Sequence, residues 1–267
     1  MKNFKQHGFT LIEIAIVFVI IAVLLSYTFM PLRAQLETKN IKEARSKLVE
    51  IEEALYGFAI ANNRLPCPTI PGNNGVANPL NPAADCGNAN IIGGYIGFVP
   101  SNTLGIKGEV NCDGLLIDPW GRPYLYSVAF IDVGANGLGD FVVAGDILTE
   151  GGPGAMAANI IKVCNDLTVN CGAAVGAGVA STTNALAVIF TMGTRDRANS
   201  TVENENAGEG GTRPSTCGLP AYQIGNDQQY YAAKRIESGV NVFDDIVIWI
   251  SPNILYSKLL QAGHRLQ

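Results

Sequence analysis

GFTLIEIAIVFVIIAVLLSYTFM, residues 8–30, decides the reading of this chain, because Glu13 is its only charged residue. The 22 residues from 9 to 30, wound as a helix rising about 1.5 Å per residue, come close to the roughly 30 Å hydrocarbon thickness of a bilayer. The segment is long enough to span a membrane. Ahead of it, MKNFKQHG carries Lys2 and Lys5 and no acid, so the positive-inside bias holds the N-terminus in the cytoplasm and exports the chain beyond Met30. A secretory signal peptide would have a shorter apolar run with a small-x-small cleavage site behind it, and this stretch has neither. A plain signal anchor fits the length and the basic flank but gives no reason for Glu13. A carboxylate facing lipid is costly and usually has a partner and a function.

A cut between Gly8 and Phe9 supplies that partner. The new α-amino group of Phe9 is a cation at the helix start, and Glu13 comes four residues later on the same face. The pair can form within one chain or, more usefully, between Glu13 and the Phe9 amine of a neighbouring copy, where it would set the register of an assembly. The basic leader ending in Gly8, followed by Phe9-Thr10-Leu11-Ile12-Glu13 and an unbroken apolar run, resembles the N-terminal signature of type IV prepilins and type II secretion pseudopilins. The resemblance implies that a prepilin peptidase cuts after Gly8 and methylates Phe9, and that Glu13 is the assembly glutamate. It implies as partners other pilin or pseudopilin subunits, the peptidase, an inner-membrane assembly platform and membrane lipid. The expected location is the inner membrane, single-pass with the N-terminus inside, and then a periplasmic pseudopilus or a cell-surface pilus.

Removing the leader, residues 1–8, leaves 259 residues, enough for the helix 9–30 and one sizeable exported domain. The whole chain has 18 Lys+Arg against 23 Asp+Glu, and losing Lys2 and Lys5 leaves 16 against 23. That balance does not recommend a nucleic acid as ligand. Cys67, Cys86, Cys112, Cys164, Cys171 and Cys217 all lie beyond the anchor, in an exported, oxidising compartment where three disulfides are the default. No C-x-x-C pair occurs, and after processing His264 is the only histidine, which argues against zinc. The short spacing of Cys164 and Cys171 points to a local bridge, while the remaining connectivity stays open.

Pro31 can kink the helix without ending it, because a helical period resumes beyond it. Ile41, Ala44, Leu48, Ile51, Leu55 and Phe58 recur three and four residues apart, which predicts an amphipathic spine over residues 31–62. Asn62-Asn63-Arg64-Leu65-Pro66-Cys67-Pro68 ends it, since residues before proline avoid the α region. Residues 63–267 then form the globular β domain, with a Gly-, Pro- and Asn-rich loop over 68–113. Asp118-Pro119-Trp120-Gly121 is turn chemistry, and residues 124–128 are a strand candidate. The run Asp-Pro-Trp-Gly-x-Pro-Tyr-x-Tyr is similar to the turn and first strand of the globular domain in major pseudopilins. Further strands are predicted at 185–191 and 246–250. The fold class is α+β and pilin-like: a long N-terminal helix packed on a small antiparallel sheet with long disulfide-bearing loops. Residues 129–180 and 193–240 are insertions beyond the minimal pilin plan.

Asp196, Glu203, Glu205 and Glu209, with Asp244 and Asp245, are candidate oxygen ligands for calcium. The spacing is not that of an EF-hand, but the resemblance implies a calcium site in the loop before the end of the domain. No other cofactor is expected. Arg195, Arg197, Arg213, Lys234 and Arg235 are interspersed with acids, so no nucleic acid is expected. Nucleophile-elbow, phosphate-loop and dinucleotide motifs are lacking, so the chain is not read as an enzyme. The expected function is a structural subunit of a type IV pilus or type II secretion pseudopilus, minor or specialised because the chain exceeds the usual length of a major pilin. The alternative is a signal-anchored periplasmic or surface binding or adhesion protein that does not polymerise.

Overall fold

In the computed structural model of the chain, residues 10–80, 86–87, 95–132, 138–149, 161–166, 180–194, 206, 212–213, 222–223, 229–236 and 243–265 are described, with backbone only for 26–33, 212–213 and 222–223. Helix α1 is Leu11–Asn62 and continues through Pro31, whose ring removes one hydrogen bond from a helix otherwise rich in favourable residues. It ends where the sequence places its end. Asn63 takes a left-handed φ of 53°, and its N–H bonds the Ala59 carbonyl at 2.8 Å, a common asparagine exit from a helix.

The chain divides into two compact units, Met1–Glu43 and Ala44–Gln267. In the first, the described side chains of the apolar run cover residues 10–25 and are exposed, Leu11 at 87% and Phe18 at 67%. Among the described residues no helix is long and apolar enough to cross a membrane.

In the second unit, Ala44, Leu48, Ile51 and Leu55 are fully buried as their spacing predicts, joined by Tyr56 and Ala59, while Phe58 is half-buried. Each buried leucine or isoleucine of this stripe contributes roughly 1.5–3 kcal/mol. Among the described residues the elements after α1 are β1 (Ile96–Phe98), α2 (Ser101–Leu104), β2 (Leu125–Val128), α3 (Asp146–Thr149), β3 (Ile161–Cys164), β4 (Ala180–Ala185), β5 (Ala187–Thr191), β6 (Thr212–Arg213), β7 (Tyr222–Gln223), β8 (Gln229–Tyr231), β9 (Ile246–Ile250) and α4 (Pro252–Gln261).

The central sheet has the order β1-β2-β5-β9 and is antiparallel throughout. Its register sets Tyr126 opposite Ile189, and Ile189 opposite Ile248. The three predicted strands are present. The fourth, β1, lies in the segment expected to be loop, where Thr69 also bridges to Phe98. Strands β2 and β5 are buried at every residue, so both faces of the sheet are covered along them.

The two expected insertions account for part of that cover. Strand β3 from the first and β8 from the second pair in parallel, and β4 closes the order β4-β3-β8. The described strands of these two segments, β3 and β8, therefore pair with each other in a second sheet. Its Tyr230 meets Phe190 of β5 with ring centroids 5.6 Å apart. Strand β4 passes through Leu186 into β5, so one run of chain serves both sheets. Leu186 stays tied at the crossing, its N–H donating to the Ile250 carbonyl and its carbonyl accepting from the Ala129 N–H.

Helix α4 lies outside the elements that the sequence predicts, although Pro252 directly after Ser251 is a familiar helix start. It buries Leu255, Tyr256 and Leu259. Lys258 Nζ lies 3.0 Å from Glu53 Oε2 and 4.8 Å from the Tyr56 ring centroid. His264 Nε2 stands 3.0 Å from the Ile60 carbonyl oxygen, near the C-terminal end of α1.

Cys67 and Cys86 form a disulfide across a separation of 19 residues, a closure worth about 3 kcal/mol. Cys112 and Cys164 are also disulfide-bonded, and no described cysteine is free. Cys171 and Cys217 lie outside the described residues, so the bridge expected between Cys164 and Cys171 does too.

Candidate functional site

Of the processing and assembly residues, Gly8 and Phe9 lie outside the described residues, while Thr10 and Glu13 open α1. Glu13 Oε2 accepts from the Thr10 backbone N–H at 3.1 Å and from the Thr10 hydroxyl at 3.0 Å. In return Thr10 Oγ1 accepts from the Glu13 N–H at 3.3 Å. This is a reciprocal capping box, in which two N–H groups at the helix start find acceptors and the carboxylate sits at the positive end of the helix dipole. The spelling Thr-x-x-Glu before an apolar run is the sequence signal for it. The box fixes the carboxylate at the mouth of a helix whose aliphatic side chains are exposed.

A second polar centre lies in the globular domain and holds the Asp-Pro-Trp-Gly turn. Asp118 is 4% exposed. Its Oδ1 accepts from the Trp120 and Arg122 N–H groups, each at 2.9 Å. Its Oδ2 accepts from the Thr191 hydroxyl at the end of β5. Burial pushes the Asp118 carboxyl above the usual carboxylate range, against the opposing pull of the Thr191 hydroxyl, the two N–H groups and the Arg122 charge. Arg122 Nη2 donates to the Thr194 carbonyl at 2.9 Å, so the turn grips the chain leaving β5 from two sides.

The same exit holds the two described calcium candidates, Asp244 and Asp245, both buried. Asp244 Oδ2 accepts from the Thr194 N–H at 2.9 Å and from the Thr194 hydroxyl. Gly193, at φ +64°, makes room, since a Cβ there would lie 2.6 Å from the Asp244 carbonyl oxygen. Asp245 Oδ2 accepts from Asn206 Nδ2 at 2.7 Å, and Asn206 also holds both the N–H and the carbonyl of Tyr231 in β8. Asp196, Glu203, Glu205 and Glu209 lie outside the described residues. Among the described residues no group of three or more His, Cys, Asp or Glu could hold a metal ion. The described carboxylates act as hydrogen-bond acceptors, Asp244 between the β5 exit and the β9 entry of the central sheet and Asp245 through Asn206 towards β8 of the second sheet. Of the basic candidates, Lys234 and Arg235 lie just after β8, the backbone of Arg213 lies in β6, and Arg195 and Arg197 are outside the described residues.

The prokaryotic N-terminal methylation motif matches residues 3–29. The type II secretion system core protein G of Aeromonas hydrophila is 32% identical over 124 residues, which are 46% of this chain and 74% of that protein. Its counterpart in Escherichia coli is 32% identical over 142 residues, 53% of this chain and 82% of the relative. That of Vibrio cholerae is 29% identical over 153 residues, 57% and 89%. No solved structure matches the chain. With a methylation motif spanning the capped start of α1 and a body matching most of the length of these relatives, the chain belongs to the type II secretion system core protein G family of pseudopilins.

Proposed function

We propose that this chain is a structural, non-catalytic subunit of a type II secretion pseudopilus. It is cut after Gly8 by prepilin peptidase, methylated at Phe9, and held in the inner membrane by residues 9–30 until an assembly platform draws it into the periplasmic filament. The observation that carries this reading is the Glu13 carboxylate fixed by Thr10 at the head of an exposed apolar helix, inside the segment that matches the methylation motif. A lone lipid-facing carboxylate is a burden to an anchor and a tool for an assembling helix. Intact-mass measurement of the purified protein tests it. The expected species begins at methylated Phe9. A retained Met1 leader in cells containing the peptidase would instead favour a signal-anchored binding protein that does not polymerise.

The reading extends to calcium, with Asp244 and Asp245 as oxygen ligands together with acids among Asp196, Glu203, Glu205 and Glu209. The support is chemical: two buried carboxylates stand at the meeting point of both sheets, and hard oxygen donors are what calcium takes. Calcium bound only by the native state stabilises by mass action. At a hundredfold excess over its dissociation constant, the gain is about 2.7 kcal/mol, or on the order of 5–10 °C in melting temperature. Thermal unfolding with calcium and with chelator measures this difference. Identical melting curves, with Asp244→Ala equally indifferent to the ion, would show that the domain does not depend on the metal.

A further inference from the structure

Among the described residues the two larger sheets end in the outer strands β1 and β9 of one and β4 and β8 of the other, and all but one of these edges are guarded. Thr69 lies along β1 and exchanges both backbone hydrogen bonds with Phe98, at 2.9 and 3.1 Å. On β8, the N–H and carbonyl of Tyr231 bond the side-chain amide of Asn206, which stands in for a neighbouring backbone. Strand β4 is polar, its register against β3 is irregular, and its Asn184 N–H is taken by Thr182 Oγ1 at 3.2 Å. Cover, side-chain capping and polar irregularity are common means by which a sheet is kept from adding strands.

Strand β9 has none of them. Its sequence Ile-Val-Ile-Trp-Ile carries no charge and no proline, and its register against β5 runs without a shift. Among the described residues its backbone bonds only to β5 and Leu186, and Ile246 to Trp249 are partly exposed. We propose that the outer edge of β9 is a docking site for an extended segment of another polypeptide, which adds to the central sheet as a further strand. A row of N–H and C=O groups along a strand is matched by another extended main chain, so the partner class follows from hydrogen bonding. Val247 and Trp249 lie on the face of Phe190, and Ile246 and Ile248 on the face of Ile189. Both faces of the edge are therefore apolar, and the segment that fits is uncharged over five residues and β-branched or aromatic. A second copy fits less well. Its β9, set antiparallel and centred on Ile248, brings Pro252 at the start of its α4 opposite Asp244, whereas an extended segment carries no helix there. The inference goes beyond the pseudopilus-subunit reading and stands without it.

The test uses the full-length, detergent-extracted protein and two synthetic peptides, each Val-Thr-Val-Thr-Val with a lysine at either end. In the first, alternate amides are N-methylated, which leaves one edge able to pair and keeps the peptide from stacking on itself. In the second every amide is N-methylated, which removes the donors from both edges. Hydrogen–deuterium exchange over Ile246–Ile250 reads occupancy of the edge. The first peptide is expected to slow the fast-exchanging amides of β9 about twofold at half-saturation and further beyond it, since only the unoccupied fraction exchanges. The second peptide is expected to leave them unchanged. No slowing of β9 by the first peptide up to its solubility limit overturns the docking site. Equal slowing by both overturns it too, because apolar contact without a backbone ladder would then account for the effect. Protection of β9 that rises with protein concentration in the absence of peptide would place a second copy on this edge, and overturns the assignment to another polypeptide.

Discussion

Glu13→Ala and Glu13→Gln are both expected to be exported, cleaved and folded like wild type, and both to be lost from the filament fraction by about tenfold or more, the effect of losing one strong ionic contact. The two variants separate the two roles that the carboxylate can play. In the single chain it closes the capping box with Thr10, and glutamine at the same position can close that box as well. Pairing with the Phe9 amine of a neighbour requires the charge, which glutamine lacks. If the cap alone mattered, Glu13→Gln would assemble and Glu13→Ala would not. If the charge matters, neither assembles, since the incoming amine enters an apolar core unpaired. Removing the carboxylate makes residues 9–30 only more lipid-compatible, so membrane levels should hold. The measurement is the ratio of filament to membrane signal for the three proteins. Equal recovery of all three would leave Glu13 without the assembly role.

The box also bears on the order of events. In the subunit proposed above, a carboxylate held by Thr10 would not be bare before assembly. If Glu13 pairs with a neighbour's Phe9 amine on assembly, the same oxygens would face a stronger, charged donor. Such an exchange, from a neutral local cap to a neighbour's ammonium, would give each subunit a stable waiting state and a more stable assembled one.

The features legible in the sequence are those set by period and punctuation. Ala44, Leu48, Ile51 and Leu55 declare the buried side of α1 through their spacing, and Asn62-Asn63 followed by Leu65-Pro66 declares its end. Strand β9 is legible because five consecutive β-favouring residues, Ile-Val-Ile-Trp-Ile, come directly after two acids. The uninterrupted apolar run of β5 carries a further message, since a strand open to water on one face would alternate. It points to cover on both sides. The identity of that cover is not legible. Strand β8 is three residues, Gln-Tyr-Tyr, and β4 is Ala-Ser-Thr-Thr-Asn-Ala, a polar strand at a sheet edge. Elements this short state their role only through partners distant in sequence, Val163 opposite Tyr230 for one, and no local period encodes such pairing. The capping box is spelled out at Thr10 and Glu13, but the cost of a charge in lipid masks its local use.

Asp118→Ala is expected to be the most damaging substitution in the globular domain, costing roughly 3–5 kcal/mol and on the order of 10 °C in melting temperature. The carboxylate accepts from the N–H groups of Trp120 and Arg122 and from the Thr191 hydroxyl in a site almost closed to water. Alanine leaves all three donors without that acceptor and frees the turn from β5, and with it the exit that Arg122 and Asp244 hold at Thr194. Asp118→Asn should lose much less, because its amide oxygen still accepts from the two N–H groups and its amide nitrogen can donate to the Thr191 oxygen. The pair wild type and Asp118→Asn also reads the ionisation. Burial raises the Asp118 carboxyl in the folded chain above its unfolded value of about 3.9, so the folded state holds the proton more tightly. As pH rises through the window between the unfolded and folded values, the unfolded chain ionises first, and wild type loses stability relative to the non-titrating asparagine variant. Below that window the difference is constant and most favourable to wild type, and above it constant and least favourable. Denaturant unfolding of both proteins between about pH 3.5 and 7 measures the difference. A wild type that gained on Asp118→Asn as pH rose would show that the hydrogen bonds outweigh burial and hold this carboxyl below its ordinary range.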